Sequence, residues 1–265
     1  MPTVSAVIIT KNEQDMLPEC LDSLHWADEI VVVDSGSSDD TRRIAREHGA
    51  RVYLHEEWRG FGPQRQLAQS YAACDWVFWI DADERVTDDL AREICRVVTA
   101  DQRDCVYMVP RLSWVFGRYI RHSGWYPDYV ARLYARVMTR YDDAPVHEKV
   151  VIGEGMRVSR LTSDLVHFTY RDLQHYLVKS AGYAALWADH RAKRGQKASI
   201  VQAAAHALGC FIKMYILRAG WLDGKQGFLL ALLSSHSSFV KYADLWVRQQ
   251  SAKPDHPKRE KQKHD

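Results

Sequence analysis

The chain lacks any pair of cysteines separated by two residues, the spacing typical of structural zinc sites and redox-active disulfides. Its five cysteines are scattered over 265 residues, and their odd number leaves at least one without a disulfide partner. Isolated thiols are typical of proteins in a reducing compartment. The sequence therefore argues against a disulfide-stabilised or zinc-bound domain and favours free or buried thiols. The cysteines are Cys20, Cys74, Cys95, Cys105 and Cys210.

An excess of one charge is also missing. The 36 basic and 34 acidic residues leave a formal net charge of +2, so the overall field gives no reason to expect nucleic acid as a partner. Neither a basic leader nor a cleavage site precedes the apolar segment Ser5 to Thr10. A secretory signal is therefore not predicted, and a cytoplasmic location is expected.

No segment has the roughly 20 uninterrupted apolar residues that a transmembrane helix needs. The two most apolar helical segments, Ile200 to Arg218 and Phe228 to Val247, are each interrupted by a histidine and a lysine. Their aromatic and basic residues are typical of helices that lie in a membrane interface. A helical hairpin that caps the main domain or forms a dimer explains the pattern equally well. The segment Ser251 to Asp265 is nearly all charged or polar and is expected to be disordered.

The N-terminal part alternates strand and helix patterns, an order that favours a parallel sheet flanked by helices. A chain of this length can bury one large core and a small appendage. We therefore predict an α/β fold, a mainly parallel sheet with helices on its faces, followed by a C-terminal helical extension. The predicted strands are Ser5 to Thr10, Glu29 to Val33, Arg51 to Leu54 and Trp76 to Ile80, and the predicted helices are Glu13 to Leu24, Thr41 to His48 and Pro63 to Ala73.

Carboxylates stand where two of these strands end. Asp81 and Asp83 follow the apolar run Trp76 to Ile80 directly, with one residue between them. Ligands of open α/β sheets bind outside the carboxyl ends of the strands. A carboxylate pair at that edge can present oxygens to a hard divalent cation that also binds phosphates. The same short motif also occurs in solvated loops, so the strand before it is what makes a metal site the better hypothesis.

A polar segment also follows each of the first two predicted strands. Asp34 precedes a turn rich in serine, and its carboxylate can accept hydrogen bonds from a nucleobase or ribose, or simply complete the turn into the next helix. Thr10 to Glu13 ends the first strand beside the same predicted crevice. Glu13 could equally favour the start of a helix. Between Trp114 and Tyr129 the chain is rich in aromatic rings that suit an acceptor sugar, or equally lid and core packing.

Four motifs occur along the chain in an order that resembles the nucleotide-sugar half of the inverting glycosyltransferases of sequence family 2, which have the GT-A, Rossmann-like fold. Downstream, Pro145 to Glu148 and His167 to Tyr170 are similar to the branch of that family containing lipopolysaccharide-core β-1,4-glucosyltransferases. The resemblance implies a GT-A domain over residues 1–170, a helical region over 171–250 that contacts a membrane or packs as a cap, and the charged tail 251–265. The motifs are Thr10 to Glu13, Val33 to Thr41, Gly62 to Gln66 and Trp79 to Glu84.

The resemblance also implies roles for individual residues. Asp34 would bind the uracil and ribose, Arg65 would line the nucleotide pocket, and Asp81 and Asp83 would hold the ribose and the metal-bound diphosphate. Lys11 departs from the residue that relatives often have there, so it receives no role. The predicted nucleotide-sugar site comprises Thr10, Asn12, Glu13, Asp34, Ser35, Arg65 and Asp81.

An inverting transfer needs one base to remove the proton of the acceptor hydroxyl. Glu148 is the candidate, because a carboxylate downstream of the Asp81–Asp83 motif can reach the attacking side. Asp83 is the predicted metal ligand, and His147 and His167 are further candidates because imidazole binds transition metals. A purely structural role for either histidine fits the sequence as well. Three carboxylates compete with Glu148: Asp128, Asp142 and Asp143.

Together these expectations describe a metal-dependent hexosyltransferase that uses Mn²⁺ or Mg²⁺. Its expected partners are a UDP-sugar donor, with UDP-glucose implied by the resemblance, and a lipid-anchored inner-core saccharide with a heptose acceptor. The enzyme would contact the cytoplasmic face of the inner membrane peripherally. Transfer to another glycan or to a peptide, and an inactive sugar-nucleotide-binding protein, remain alternatives. A nucleotidyltransferase or sugar-nucleotide hydrolase is disfavoured because the chain has no glycine-rich phosphate loop ending in lysine.

Overall fold

A computed structural model describes residues 1–251, and the predicted disordered tail from residue 252 onward lies outside the described residues. The chain divides into two compact units. The first contains the sheet and its flanking helices and comprises Met1–Val115, Tyr119–Arg121 and Trp125–Thr169. The second contains the C-terminal helices and comprises Phe116–Arg118, His122–Gly124 and the chain from Tyr170 onward.

Strands and helices alternate through the first 100 residues, as predicted. The α/β class is confirmed, with a ten-stranded mixed sheet flanked by helices. The strands are β1 Val4–Thr10, β2 Glu29–Asp34, β3 Arg51–Leu54, β4 Trp76–Trp79, β5 Glu84–Val86, β6 Cys105–Val115, β7 Arg118–Tyr119, β8 Asp128–Ala135, β9 Arg157–Arg160 and β10 Leu165–Tyr170. The helices among them are α1 Leu17–Asp22, α2 Thr41–Glu47, α3 Phe61–Tyr71 and α4 Asp88–Ala100.

The sheet has the strand order β3-β2-β1-β4-β8-β6-β10-β5, and β7 and β9 pair with β6. Strands β3, β2, β1 and β4 are parallel neighbours, whereas β8 pairs antiparallel with both β4 and β6. The apolar side chains of β1, β2 and β4 are almost all buried between the flanking helices. Because these strands run in one direction, their carboxyl ends share one edge of the sheet, where Thr10 lies opposite Asp34 in the register.

Two helices differ from their predicted bounds by more than one residue. Helix α1 begins only at Leu17, because the carbonyl of Glu13 accepts the N–H groups of Met16 and Leu17 in a turn that precedes the helix. Helix α3 begins at Phe61, before the predicted start at Pro63. Its first N–H groups have partners outside the helix, namely the Pro145 and Ala144 carbonyls. Such external partners satisfy the donors that a helix start leaves free.

The second unit is helical. Helix α5, Leu173–Lys193, is followed by α6, Ile200–Phe211, which continues into a π-helical turn, Ile212–Leu217. A 3₁₀ turn, Gly220–Asp223, leads into the long helix α7, Gly224–Ser251. By length and composition alone, one helical segment among the described residues, Ile200–Leu217, is long and apolar enough to cross a membrane.

Candidate active site

Asp34 ends β2 with its carboxylate fully buried. One oxygen accepts the backbone N–H groups of Gly36 (3.1 Å) and Ser37 (2.9 Å), and the other accepts the Ser37 and Thr10 hydroxyls. These are the bonds that complete a turn after a strand. The residue thus shapes the strand end, and its predicted contact with a nucleotide stays a prediction.

The segment after β1 is joined to the same turn. Asn12 has the left-handed backbone conformation, with φ +55°, and donates its N–H to the Ser37 hydroxyl at 2.8 Å while its side-chain oxygen accepts the Ser38 N–H at 2.8 Å. Glu13 donates its N–H to the Thr41 hydroxyl. Four of the predicted nucleotide-site residues therefore lie in one hydrogen-bonded cluster at the sheet edge: Thr10, Asn12, Glu13 and Asp34.

The cluster is connected to α3 through Ser35, whose buried hydroxyl accepts a hydrogen bond from the Gln64 amide at 3.1 Å. Arg65 follows Gln64 and is itself buried. Its guanidinium lies 5.3 Å from the ring centre of Trp79 and 5.0 Å from that of Tyr141. Aromatic faces attract and enclose a guanidinium at such distances. Helix α3 thus places a fixed positive charge beside the strand ends.

Arg65 connects two carboxylates that are far apart in sequence. Its Nη2 donates to Asp81 Oδ1 and its Nε donates to Glu148 Oε1, each at 2.9 Å. The predicted base and the first carboxylate of the Asp81–Asp83 motif are thereby held by one guanidinium. Arg65 Nη1 is buried and has no hydrogen-bond partner among the described residues. It is a donor available to an oxygen of a ligand.

A second buried arginine, Arg132 on β8, holds the motif from the other side, and sequence reasoning missed it. Its Nη2 donates to Asp81 Oδ2 and to Glu84 Oε1, both at 2.6 Å. Glu84 is fully buried and accepts the Asp81 N–H at 2.9 Å with its second oxygen. Glu84 stood next to the motif in the sequence, but nothing in the pattern around Arg132 marked it as different from a structural strand residue.

The pKa values follow from these contacts. Burial alone would raise the pKa of Asp81, but the charges of Arg132 and Arg65 outweigh it and hold that pKa well below its usual range. Burial dominates at Glu84, whose pKa is raised despite Arg132. The pKa of Arg132 stays far above its usual value, since its two carboxylates outweigh the effect of burial. Asp81 is therefore a permanent anion clamped by two permanent cations.

Asp83 lies in a different environment. Its carboxylate is 3.3 Å from His167 Nε2, and its backbone carbonyl accepts the Phe168 N–H at 2.8 Å across the junction of β5 and β10. The side chains of Asp83 and Asp81 are exposed to nearly the same extent, 30% and 32%, but both oxygens of Asp81 are engaged by arginines. Asp83 is thus the member of the motif that is open to a cation.

The donor set suits a hard or borderline divalent ion. One carboxylate and one imidazole are compatible with Mn²⁺ or Mg²⁺, because such ions commonly take few protein ligands and complete their shell with water and substrate phosphates. Among residues 1–251, no group of three or more His, Cys, Asp or Glu side chains forms a metal-binding cluster. His147 is exposed in the loop before Glu148 and has φ +63°. Its predicted metal contact remains a prediction.

The three carboxylates that competed with Glu148 have local partners. Asp128 forms an ion pair with Arg111 at 2.5 Å. Asp142 accepts the N–H groups of Ala144 and Lys149, both at 3.2 Å. Asp143 accepts the Gln66 amide at 2.8 Å. Asp142 and Asp143 thus shape the loop that carries Glu148, and the choice of Glu148 as the base stays a prediction.

The family model for glycosyl transferase family 2 matches residues 5–161, which include every predicted site residue except His167. The chain belongs to glycosyl transferase family 2. It is 30% identical over 255 residues to the lipopolysaccharide core biosynthesis glycosyltransferase LpsC of Rhizobium meliloti, covering 92% of each chain. An uncharacterised Rickettsia prowazekii glycosyltransferase is 28% identical over 92% of this chain and 87% of its own.

Among solved structures, the glucosyl-3-phosphoglycerate synthase of Mycobacterium tuberculosis is similar over a shorter region. That protein, in complex with Mn²⁺, UDP and glucosyl-3-phosphoglycerate, is 27% identical, with 43% of this chain and 44% of that chain covered and a TM-score of 0.36. The resemblance inferred from the four motifs is confirmed at the level of the family by the family model and the rhizobial relative.

Gly62 allows the loop with Glu148 to approach α3. A Cβ atom at this position would lie 2.2 Å from the Asp142 carbonyl oxygen and 2.7 Å from that of Ala144. We expect Gly62→Ala to displace the loop and to lower the free energy of unfolding by about 1–3 kcal/mol, as overpacking does. Urea denaturation measures the effect, and transfer activity should fall with it. Gly182→Ala is the control, because a Cβ at Gly182 meets no atom within 4 Å; equal stability of both variants would contradict this packing.

Arg132→Met should remove the closest arginine partner of the buried Glu84 carboxylate and leave only Arg111, whose Nη1 lies 3.6 Å away. Removing one member of a buried ion pair costs about 3–5 kcal/mol, so urea denaturation should show a loss of that size. Arg132→Lys should recover part of it by keeping the charge. Arg103→Met is the matched control: Arg103 is half-exposed and ion-paired with Asp75 and Asp101, so its removal should cost about 1 kcal/mol or less. A small loss in Arg132→Met would show that the buried network does not stabilise the fold.

Proposed function

We propose that this family 2 glycosyltransferase is an inverting hexosyltransferase that transfers glucose from UDP-glucose to a heptose of an inner-core lipopolysaccharide saccharide. The observation that supports it best is the Arg65 bridge, which joins the base candidate Glu148 to the Asp81–Asp83 motif. The similarity to a rhizobial lipopolysaccharide core glycosyltransferase over 92% of both chains supports this acceptor class.

In this proposal the sheet edge binds the donor. The cluster of Thr10, Asn12, Glu13, Asp34 and Ser35 forms the nucleoside side, and the free Nη1 of Arg65 donates to a donor oxygen. Asp83 and His167 would hold a divalent metal ion, which when bound neutralises the charge of the leaving diphosphate. Asp81 does not need to touch the metal, because its carboxylate orients Arg65 toward the donor.

Glu148 then serves as the general base. Its carboxylate takes the proton of the acceptor hydroxyl while that oxygen bonds to the anomeric carbon. On the opposite face of the same carbon, the bond to the diphosphate oxygen breaks, and UDP leaves with the electron pair. Arg65 keeps the Glu148 side chain oriented, because its Nε donates a hydrogen bond to Glu148 Oε1 at 2.9 Å. A base that is positioned in advance contributes roughly 10²–10⁴-fold to the rate.

The acceptor determines where the enzyme works. A lipid-anchored core saccharide on the cytoplasmic face of the inner membrane requires a cytoplasmic enzyme that reaches that surface. Peripheral contact of the second unit with the membrane is part of the proposal. Support comes from the apolar composition of Ile200–Leu217 and from the basic residues around it.

Incubation with single UDP-sugars tests the donor. With Mn²⁺ or Mg²⁺ present, UDP-glucose should release UDP and raise the melting temperature more than UDP-galactose or UDP-N-acetylglucosamine, and a chelator should abolish both effects. With a heptose-containing core acceptor, NMR of the product should show a β-linkage, because transfer from α-linked UDP-glucose inverts the anomeric centre. A response to no nucleotide sugar from folded protein would refute the proposed activity and favour an inactive binder.

Two substitutions separate the predicted roles. Glu148→Gln should retain donor affinity but lower the transfer rate by roughly 10²–10⁴-fold, because the amide cannot accept the proton. Asp83→Ala should instead weaken donor binding in the presence of metal and leave metal-free binding of UDP unchanged. Isothermal titration and initial rates measure the two effects. Glu154→Gln, at an exposed position, and Asp104→Ala, whose half-exposed side chain forms an ion pair with Arg157, are the controls. Unchanged metal-dependent affinity in Asp83→Ala would reject the metal assignment.

A further inference from the structure

The middle of the second unit is free of acidic residues. Between Asp189 and Asp223 there is no Asp or Glu, while six arginines and lysines are present. The rest of the chain has nearly equal numbers of both signs, so the concentration of positive charge here is local. Lys193 is ion-paired with Asp189, and the other basic residues leave the segment with an excess of positive charge, which attracts anionic partners such as acidic lipid headgroups. The six residues are Arg191, Lys193, Arg194, Lys197, Lys213 and Arg218.

The same segment presents apolar side chains to solvent. Val201, Leu208 and Ile216 have 79%, 62% and 55% of their surface exposed. With Ala205 and Ile212, which are also exposed, they recur every three or four residues and form one stripe along α6 and its π-helical turn. These five residues are called the apolar stripe below. Soluble helices normally turn such a stripe toward the core, and this one faces outward.

The opposite face of α6 is packed on α7. The rings of His206 and Tyr242 stack with centres 4.0 Å apart, and the Ser235 hydroxyl donates to the Ala207 carbonyl at 2.7 Å. Phe211 contacts Phe228 edge to face. The helix therefore already has a partner, and its polar and aromatic face is the one that is used. The apolar stripe is left for something outside the unit.

The chain that follows the stripe carries residues typical of a membrane interface. Trp221 and Leu222 in the following 3₁₀ turn have 55% and 45% of their surface exposed, and Lys213 and Arg218 are exposed beside them. Tryptophan prefers the headgroup region, and lysine and arginine reach from apolar surface to lipid phosphates. Composition and exposure together thus match a helix that lies on a bilayer.

A crossing orientation does not suit this unit. Helix α6 is packed along α7, which carries Lys241, Asp244 and Arg248. If α6 crossed the bilayer, α7 would follow it and bring charged side chains into the hydrocarbon, where they are costly. Lying parallel to the surface buries the apolar stripe and leaves α7 in water.

We propose that the apolar stripe, with Trp221, docks in the interfacial region of a bilayer containing anionic lipids, with the surrounding basic residues against the headgroups. This inference rests on the proposed function, since it names the surface that makes the proposed peripheral membrane contact. A second copy of the chain is a poorer occupant. In a two-fold dimer the same patch would face itself, and its cationic residues would lie opposite one another.

Co-sedimentation of the full-length protein with lipid vesicles tests the proposal. Binding is expected to vesicles of equimolar phosphatidylcholine and phosphatidylglycerol, to be at least about tenfold weaker to phosphatidylcholine alone, and to be released by alkaline carbonate. Ile216→Gln should weaken binding by roughly tenfold, and Leu208→Gln/Ile212→Gln/Ile216→Gln by more than about a hundredfold, because each removes buried apolar area. Val158→Gln is the matched control, since Val158 in the first unit is 54% exposed.

Three kinds of outcome would overturn the proposal. The first is a failed vesicle experiment: either the wild type does not bind anionic vesicles, or the triple variant binds them as strongly as the wild type does. The second is retention on vesicles after carbonate treatment, which means a crossing helix. The third is a lipid-free dimer, seen by light scattering, that the triple variant converts to a monomer. Lys213→Gln keeps the test valid if the triple variant misfolds, and donor-dependent UDP release in the absence of lipid distinguishes a failed membrane site from a failed enzyme proposal.

Discussion

The clamp of Arg65 and Arg132 on Asp81 is the interaction on which the site depends. Ions removed from water must be paired, since an isolated buried charge costs more than folding can supply. Arg65 comes from α3 and Arg132 from β8, so the end of β4 is fixed from both sides. Glu84 completes the network, because its carboxylate accepts hydrogen bonds from Arg132 Nη2 and from the Asp81 backbone N–H. These contacts therefore fix the turn that carries Asp83 without the help of a ligand.

Asp81 and Asp83 look equivalent in sequence, but their surroundings in the structure give their carboxylates different roles. Both oxygens of Asp81 accept hydrogen bonds from arginines, and the charges of these arginines hold the pKa of Asp81 low. Asp83, two residues on and equally exposed, lies 3.3 Å from His167 Nε2 instead. One carboxylate therefore organises cations that belong to the protein, while the other remains available to a cation from outside.

The features that could be predicted from the sequence are those that local patterns of residues specify. Strands β1 to β4 were found within one residue of their bounds because β-branched and aromatic runs between polar turns specify them. Arg132 could not be found, because its partners lie 48 and 51 residues away and an arginine on a strand most often points to water. The Arg65–Glu148 pair, 83 residues apart, depends on the close approach that Gly62 permits, which no spacing rule describes.

Arg65 also explains how donor and base can act together. Its guanidinium donates to Asp81 from Nη2 and to Glu148 from Nε, and its remaining Nη1 has no partner among the described residues. An unsatisfied buried donor is unfavourable, so a ligand oxygen that reaches Nη1 gains the hydrogen bond that the empty site lacks. The guanidinium that offers Nη1 to a ligand thus also holds the proposed base through its Nε. In the proposed mechanism, one side chain therefore aligns both the donor oxygen and Glu148.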